Sequence, residues 1–133
     1  MHLIIDGYSS NRKLLQNEDF LRKWLEDYPA RIRMNRISPP YVIKYVGPVL
    51  EDWGISGFVF IAESHIAVHT FVERDYVNID VFSCKDFDTD RAIEDFREGF
   101  QLTKLRTCII DREWPRIESA VPNPRGFVYH EQP

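Results

Sequence analysis

A nucleophilic hydroxyl, two imidazoles, a carboxylate and a thiol lie close together in the middle of the 133-residue chain. The residues between them are mostly apolar, and many are β-branched or aromatic, which favours strands. A buried strand has little structural use for so many reactive groups, so this segment is the first candidate for chemistry. In chain order, the reactive residues are Glu63, Ser64, His65, His69 and Cys84.

Several kinds of chemistry are open to these residues. A metal site needs converging ligands, but His65 and His69 on a strand are about 13 Å apart, at roughly 3.3 Å per residue, so no metal site is predicted. A serine hydrolase is possible, although Ser64 lacks the G-x-S-x-G pattern. Cys84 could pair with a histidine as a thiol nucleophile. Taken singly, Ser64 is also typical of a turn, His69 of a core or edge position, and Cys84 of a small buried side chain.

Hydrophobic periodicity indicates the elements that must position these residues. An amphipathic helix capped by Asn17 is predicted over 18–28, ended by Pro29, and a second helix follows a cap at Asp88 or Thr89. The glycines on either side of Ser56 suggest a tight turn. Strands are predicted over 2–8, 41–46, 58–62, 65–71, 76–82 and 105–110, with a weaker signal over 31–37.

The order of these elements predicts a single α+β domain over residues 1–133. Two amphipathic helices and a mainly antiparallel sheet make a two-layer sandwich, with both helices on one face of the sheet. The other face must then be solvated or covered by a second copy of the chain. The prolines beyond Trp114 predict an irregular tail along the surface.

Composition excludes several classes of function. The net charge is −4 and no basic stripe with interleaved aromatic residues is present, so nucleic-acid binding is not expected. The first residues do not have the pattern of a signal peptide, and no apolar stretch is long enough for a membrane helix. Cys84 and Cys108 are too few for a disulfide framework. We therefore expect a cytoplasmic protein with free thiols.

Two motifs in the reactive segment carry a family resemblance. They read ESHIAVHT over 63–70 and IDVFSC over 79–84, and they are preceded by GISG over 54–57 and by His2-Leu3 near the start. With these motifs the chain closely resembles the bacterial and archaeal S-adenosylmethionine decarboxylases, which are small pyruvoyl-dependent enzymes of polyamine synthesis. The resemblance is close over 54–84 and looser over the helix and strand that follow.

The resemblance implies that the chain makes its own cofactor. Ser64 Oγ would attack the Glu63 carbonyl in an N-to-O acyl shift, with Ser56 stabilising the charged intermediate. His69 would remove the α-proton of residue 64, and β-elimination would cut the chain between Glu63 and Ser64, leaving a pyruvoyl group. That ketone would form a Schiff base with the substrate amine. After decarboxylation, Cys84 would return a proton to the substrate carbon.

The resemblance also implies a substrate and an assembly. The substrate is S-adenosylmethionine, whose decarboxylated form donates aminopropyl groups in spermidine synthesis. Phe71 matches an aromatic residue that packs near the adenine, and Glu73 matches a carboxylate that binds the ribose. Members of the family are dimers of processed protomers, with residues of both protomers near each active site.

Three departures from the family pattern leave alternatives open. Residues 38–52 do not follow the pattern, Lys85 stands where a glycine is usual, and Val72 stands where a proline is usual. The residues for processing therefore match, whereas segments that would face the substrate differ. A related pyruvoyl-dependent decarboxylase of another amino acid, such as arginine or ornithine, remains open. So does an inactive or regulatory homologue.

The spacing of Ser64 and His69 makes a demand on the backbone. Residues five apart lie on opposite faces of a regular strand. For His69 to reach residue 64 in the same chain, we expect a turn or bulge at Glu63 and Ser64. A strained backbone at that point would also favour the acyl shift.

Overall fold

Seven antiparallel strands form one sheet in the computed structural model, which describes residues 1–112 and the backbone of Phe127–Gln132. No helix among these residues is long and apolar enough to span a membrane. The strands are β1 (His2–Ser9), β2 (Tyr41–Tyr45), β3 (Gly54–Ile61), β4 (Ser64–Phe71), β5 (Tyr76–Ser83), β6 (Leu102–Ile110) and β7 (Phe127–Gln132). Their order across the sheet is β2-β3-β4-β5-β1-β6-β7.

Three α-helices connect the strands in the described residues: α1 (Arg12–Leu15), α2 (Glu18–Arg31) and α3 (Thr89–Gly99). Two of the caps were predicted. The Asn17 side chain accepts a hydrogen bond from the Phe20 N–H at 3.0 Å, and the Asp88 side chain accepts one from the Arg91 N–H at 3.0 Å. These side chains satisfy N–H groups that have no partner within the helix. The short α1 was not predicted.

The hydrophobic core lies between the sheet and the two longer helices. Tyr28 of α2 and Phe96 of α3 are fully buried and their rings lie 4.7 Å apart. Side chains alternate along each strand, so Ile66 and Val68 of β4 enter the core while His69 lies on the opposite, open face. The predicted two-layer α+β sandwich is therefore confirmed.

Pro29 does not end helix α2, contrary to the sequence prediction. The helix continues to Arg31 because a proline in the last turn removes only one hydrogen bond. The end is made instead by a left-handed residue, Arg33, with φ of 59°. Its N–H donates to the Ala30 carbonyl at 3.1 Å, and the next N–H, of Met34, donates to the Pro29 carbonyl at 2.8 Å. This pair of bonds is a Schellman motif with arginine at the usual glycine position.

The glycines around Ser56 do not form the predicted turn. They lie inside strand β3, where the sheet needs close approach of its neighbours. A Cβ on Gly54 would lie 1.7 Å from the Thr70 carbonyl oxygen, and one on Gly57 would lie 2.9 Å from a Leu25 methyl group. The weak strand predicted over 31–37 is also wrong, since only an isolated bridge between Arg36 and Ile61 forms there.

The end of the chain departs from the predicted irregular tail at one place. Residues 127–132 form the edge strand β7, which pairs with β6 from Leu105↔Gln132 to Ile110↔Phe127. The remaining tail prediction, over 114–126 and residue 133, lies outside the described residues. The other predicted strands and the second helix are confirmed, with ends that differ by a few residues.

Candidate active site

The bond between Glu63 and Ser64 lies at the tip of a hairpin. Ile61 of β3 pairs with Ser64 of β4, so Ala62 and Glu63 form a two-residue loop. Asn35 holds this loop: its backbone carbonyl accepts from the Ala62 N–H at 2.8 Å, and its side-chain amide donates to the Glu63 carboxylate at 3.2 Å. The predicted turn before Ser64 is therefore present, with its backbone held from outside the hairpin.

Ser64 has an unusual backbone conformation. Its φ is 156°, in the positive range that glycine occupies and other residues avoid. Such a conformation costs about 1–3 kcal/mol and persists only when the surroundings impose it. The prediction of a strained backbone at this position agrees with that angle.

Cys84 lies beside the Glu63–Ser64 bond because β5 pairs with β4. The register places Ser83 opposite Ser64, and the next residue along β5 is Cys84. Its backbone N–H donates to the Glu63 carbonyl oxygen at 2.9 Å, and its thiol is free and exposed. The residue that donates its N–H to the carbonyl that the Ser64 hydroxyl would attack therefore also carries an exposed thiol.

Ser56 and His69 form a second pair of reactive groups. They face each other directly across β3 and β4, and Ser56 Oγ lies 2.8 Å from His69 Nδ1. Both side chains point to the open face of the sheet. Two residues to which the family resemblance gives separate processing roles are therefore hydrogen bonded to each other.

The structure separates these two pairs of residues within one chain. Strand β4 is in unbroken register with β3 from Ser64 to His69, so the turn or bulge expected at Glu63 and Ser64 does not bring His69 to residue 64. Five residues of strand correspond to about 17 Å, at roughly 3.3 Å per residue. His69 therefore does not reach Ser64 of the same chain, because the turn lies before Ser64 and the strand after it is regular.

The two predicted substrate residues lie at the end of β4 far from Ser64. Phe71 is the last residue of β4, about 23 Å along the strand from Ser64. The Glu73 carboxylate is exposed and accepts a hydrogen bond from Trp53 Nε1 at 3.0 Å, with Arg12 Nη1 at 3.6 Å. The site residues thus form a turn cluster (Glu63, Ser64, His65 and Cys84) and a distal cluster (Ser56, His69, Phe71 and Glu73).

His65 is a member of the turn cluster to which the sequence analysis gave no role. Its Nδ1 lies 3.2 Å from Ser64 Oγ. Neighbouring residues on a regular strand point to opposite faces, which is why the spacing did not suggest this contact. Partial burial lowers the pKa of the His65 imidazole from its ordinary value, with the charge of His2 as a further cause.

A shallow cavity of about 540 Å³ on the open face connects the two clusters. Its walls are mainly apolar and aromatic, and His65 and His69 both line it. Several of its large side chains are exposed, among them Phe60 at 49% and Tyr41 at 57%. Exposed aromatic residues around a few polar groups are typical of a binding or contact surface. The other lining residues are Ile43, Ser56, Gly57, Phe58 and Ala67.

Known proteins similar to this chain carry one description. The sequence model of a protein family described as S-adenosylmethionine decarboxylase matches residues 1–113. A protein from Archaeoglobus fulgidus named S-adenosylmethionine decarboxylase proenzyme is 30% identical over 112 residues, which is 84% of this chain and 95% of that protein. Proteins of the same name from Pyrococcus abyssi and Clostridium botulinum (strain Langeland) are 30% and 29% identical, over 84% and 78% of this chain and 76% and 85% of their own lengths.

A solved structure has the same fold. It is an adenosylmethionine decarboxylase from Aquifex aeolicus, which aligns with a TM-score of 0.66 at 22% sequence identity. The alignment covers 86% of this chain and 95% of that chain.

Proposed function

This chain belongs to the S-adenosylmethionine decarboxylase family, and on that premise we propose that it cuts itself between Glu63 and Ser64 and then decarboxylates S-adenosylmethionine. The relatives named above are called proenzymes, which accords with a chain that must be processed before it acts. The product is decarboxylated S-adenosylmethionine, an aminopropyl donor for polyamine synthesis.

One observation carries the proposal: the geometry around the Glu63 carbonyl. Three features meet at this group, namely the strained backbone of Ser64, its hydroxyl, and the Cys84 N–H that donates to the carbonyl oxygen at 2.9 Å. A hydrogen-bond donor already aimed at an oxygen stabilises the negative charge that develops there on attack. An ordinary hairpin needs neither the strain nor the exposed thiol beside it.

The proposed cleavage assigns a step to each processing residue. Ser64 Oγ attacks the Glu63 carbonyl carbon, and the Glu63–Ser64 amide is replaced by an ester. The Cys84 N–H supports the oxyanion, with the Ser56 hydroxyl as a second donor. His69 takes the α-proton of residue 64, and β-elimination then breaks the Cβ–Oγ bond, which releases the chain that ends at Glu63 and leaves dehydroalanine at position 64. Hydrolysis of the dehydroalanine releases ammonia and leaves a chain that begins with a pyruvoyl group.

The residues near position 64 suit the cofactor that this cleavage makes. A pyruvoyl group is a ketone that serves as the electron sink for amino-acid decarboxylation. Cys84 is the proposed proton donor, because its exposed thiol follows Ser83, which pairs with Ser64. A thiol can give up a proton near neutral pH, which suits the return of one to the substrate carbon.

A second copy of the chain would complete the site. The bond to be cut lies in the turn cluster, whereas His69, to which removal of the α-proton is assigned, lies with Ser56 in the distal cluster. A two-fold axis crossing the open face near Ala67 would bring the distal cluster of each copy to the turn cluster of the other. The exposed aromatic side chains of this face would then be covered. We therefore propose a homodimer with shared active sites.

Substrate contacts are proposed at the distal cluster. Phe71 would pack near the adenine, and the Glu73 carboxylate would accept hydrogen bonds from the ribose hydroxyls. Trp53 and Arg12 already orient the Glu73 carboxylate. We also propose a cytoplasmic location, because the thiol of Cys84 must stay reduced to donate a proton.

Release of labelled carbon dioxide tests the substrate. Purified, processed protein is incubated with carboxyl-labelled S-adenosylmethionine, arginine or ornithine in separate reactions. We expect release from S-adenosylmethionine at a rate well above that from the other two. Release from arginine or ornithine alone would keep the pyruvoyl chemistry and overturn the substrate.

A further inference from the structure

The imidazole that contacts the Ser64 hydroxyl belongs to His65. His65 Nδ1 lies 3.2 Å from Ser64 Oγ, within reach of the proton that the hydroxyl must lose when it attacks. The proposed cleavage assigns no group to that proton, because it uses His69 only for the α-proton of residue 64. His65 is also one of the reactive residues to which the proposed cleavage assigns no role.

Aromatic packing fixes the position of the His65 ring. In the sheet His65 pairs with Phe60 of β3 on one side and with Phe82 of β5 on the other. The His65 and Phe82 rings are 5.5 Å apart in an edge-to-face arrangement. Phe82 is itself covered by the Arg112 guanidinium, 4.0 Å from the ring centre, and by the His2 ring at 5.5 Å. The edge-to-face contact with Phe82 therefore favours the ring position in which Nδ1 lies beside the hydroxyl.

The charges around this ring favour its neutral form. Burial lowers the pKa of His65 most, and the nearby positive charges of His2 and Arg112 lower it further. Asp80 acts in the opposite direction and raises it, but its carboxylate is hydrogen bonded to His2 Nε2 at 2.8 Å. The net direction is downwards from 6.5. A neutral imidazole with its proton on Nε2 can accept a hydrogen bond at Nδ1.

We propose that His65 is the general base of the acyl shift, taking the proton of the Ser64 hydroxyl and passing it to the Ser64 nitrogen. Oγ forms a bond to the Glu63 carbonyl carbon while its proton moves to His65 Nδ1. The resulting tetrahedral centre then loses the Ser64 nitrogen, which receives the same proton from Nδ1 as the carbon–nitrogen bond breaks. One bond forms, one breaks, and the imidazole ends neutral, so no further reactant is needed.

This assignment rests on the proposed self-cleavage and divides it between two histidines. His65 serves formation of the ester, and His69 serves its elimination. Loss of either should stop cleavage, but at different points. Loss of His69 should leave an ester between residues 63 and 64, whereas loss of His65 should leave the peptide bond intact.

Hydroxylamine distinguishes these two points because it cleaves esters and leaves peptide bonds intact. The test compares fresh chains of the wild type, His65→Gln, His69→Ala and the double variant, with cleavage followed by intact mass. We expect His65→Gln to cleave at least about 100-fold more slowly than the wild type, and hydroxylamine should not accelerate its cleavage. His69→Ala should be cut by hydroxylamine at residue 63, and the double variant should resist it.

Three outcomes separate the possible failures. If His65→Gln cleaves at the wild-type rate, the role of His65 is overturned while the proposed function stands. The same holds if a hydroxylamine-sensitive ester builds up in His65→Gln at the rate seen in His69→Ala. An uncleaved wild type overturns the proposed function itself. Equal thermal unfolding of His65→Gln and the uncleavable Ser64→Ala excludes misfolding as the reason for a slow rate.

The pH dependence gives a readout that a merely structural role would not change. In the His69→Ala background, samples are incubated between about pH 5 and pH 8 and then treated with hydroxylamine at one fixed pH. Ester formation should fall as the pH falls through the lowered pKa of His65, because the protonated ring cannot accept a proton. In the double variant His65→Gln, His69→Ala, the residual rate of ester formation should not show this titration. A double variant with the same pH profile as His69→Ala would overturn the proposal.

Discussion

Cys84 presents two groups to the site, and they can be separated by mutation. Its backbone N–H donates to the Glu63 carbonyl, and its side chain carries an exposed thiol. Cys84→Ala removes the thiol and keeps the N–H. We expect normal self-cleavage, followed by a loss of about 10²–10⁴-fold in productive turnover, because the proton donor is missing. Intact mass measures the first quantity, and carbon dioxide release together with product analysis measures the second.

The control for this prediction is Cys108→Ala, which removes a buried thiol on β6 away from the turn cluster. It should leave both cleavage and the chemistry of turnover intact. A Cys84→Ala protein with full turnover would remove the thiol from the mechanism.

Residue types and spacing predicted the reactive groups but not their contacts. The hydroxyl, thiol and imidazoles are visible in the printed sequence, but the hydrogen bond between Ser56 and His69 was not predicted, because it depends on the register of β3 against β4. The contact between Ser64 and His65 was not predicted either, because alternation along a strand argues against contact between adjacent residues. The positive φ at Ser64 breaks that rule, and a backbone angle imposed by a hairpin and its neighbours cannot be read from one residue type.

At the level of elements, Gly54 controls how closely β3 approaches β4. A Cβ at this position would lie 1.7 Å from the backbone oxygen of Thr70, which no side-chain rotation can relieve. We expect Gly54→Ala to lower the free energy of unfolding by about 3 kcal/mol, because the two strands must move apart. The same shift should disturb the Ser56–His69 pair two residues further along β3. Urea denaturation in the uncleavable Ser64→Ala background measures the change.

Gly47→Ala, outside the strands, is the matched control for Gly54→Ala. Its Cβ would meet the hydroxyl end of the exposed Tyr45 side chain, which can rotate away. The expected change in unfolding free energy is within about 0.5 kcal/mol. If the two substitutions change the unfolding free energy equally, the close approach of β3 to β4 is not what requires glycine at position 54.

Local residue types predicted most of the elements, and the errors arose where the backbone conformation or a distant strand decides. The Asn17 cap was correct because capping depends on a few consecutive residues. Pro29 was misread because the end of α2 is set by the left-handed backbone angle of Arg33, which the residue type does not predict. The glycines of β3 were misread because Gly54 faces the carbonyl of a neighbouring strand.

On the scale of the whole molecule, the distance between the two clusters predicts that copies of the chain complement one another. Ser64→Ala and His69→Ala chains are co-expressed, with a tag that distinguishes them. In a mixed dimer, an intact Ser64 on the His69→Ala chain meets the intact His69 of its partner. We therefore expect cleavage of the His69→Ala chain alone, and only when both chains are present. If each site were built from one chain, neither would be cut.

The sequence predicted the open sheet face on which this complementation depends. It did not predict that the processing residues would divide between the two ends of β4, because the hairpin could equally have followed Ser64. The described register from Ser64 to His69 decides this point. It shows that His69 does not reach Ser64 within one chain, which is the ground on which we propose a second copy.

Intact mass spectrometry of the purified protein tests the central claim most directly. Self-cleavage predicts two species, a chain ending at Glu63 and a chain beginning at position 64. The second should be lighter than a serine-initiated chain by one molecule of ammonia and should resist Edman degradation, because a ketone replaces its amino group. Ser64→Ala should give only the full-length chain. A wild-type protein that keeps its full-length mass, with the Ser64 side chain unaltered, would contradict the account.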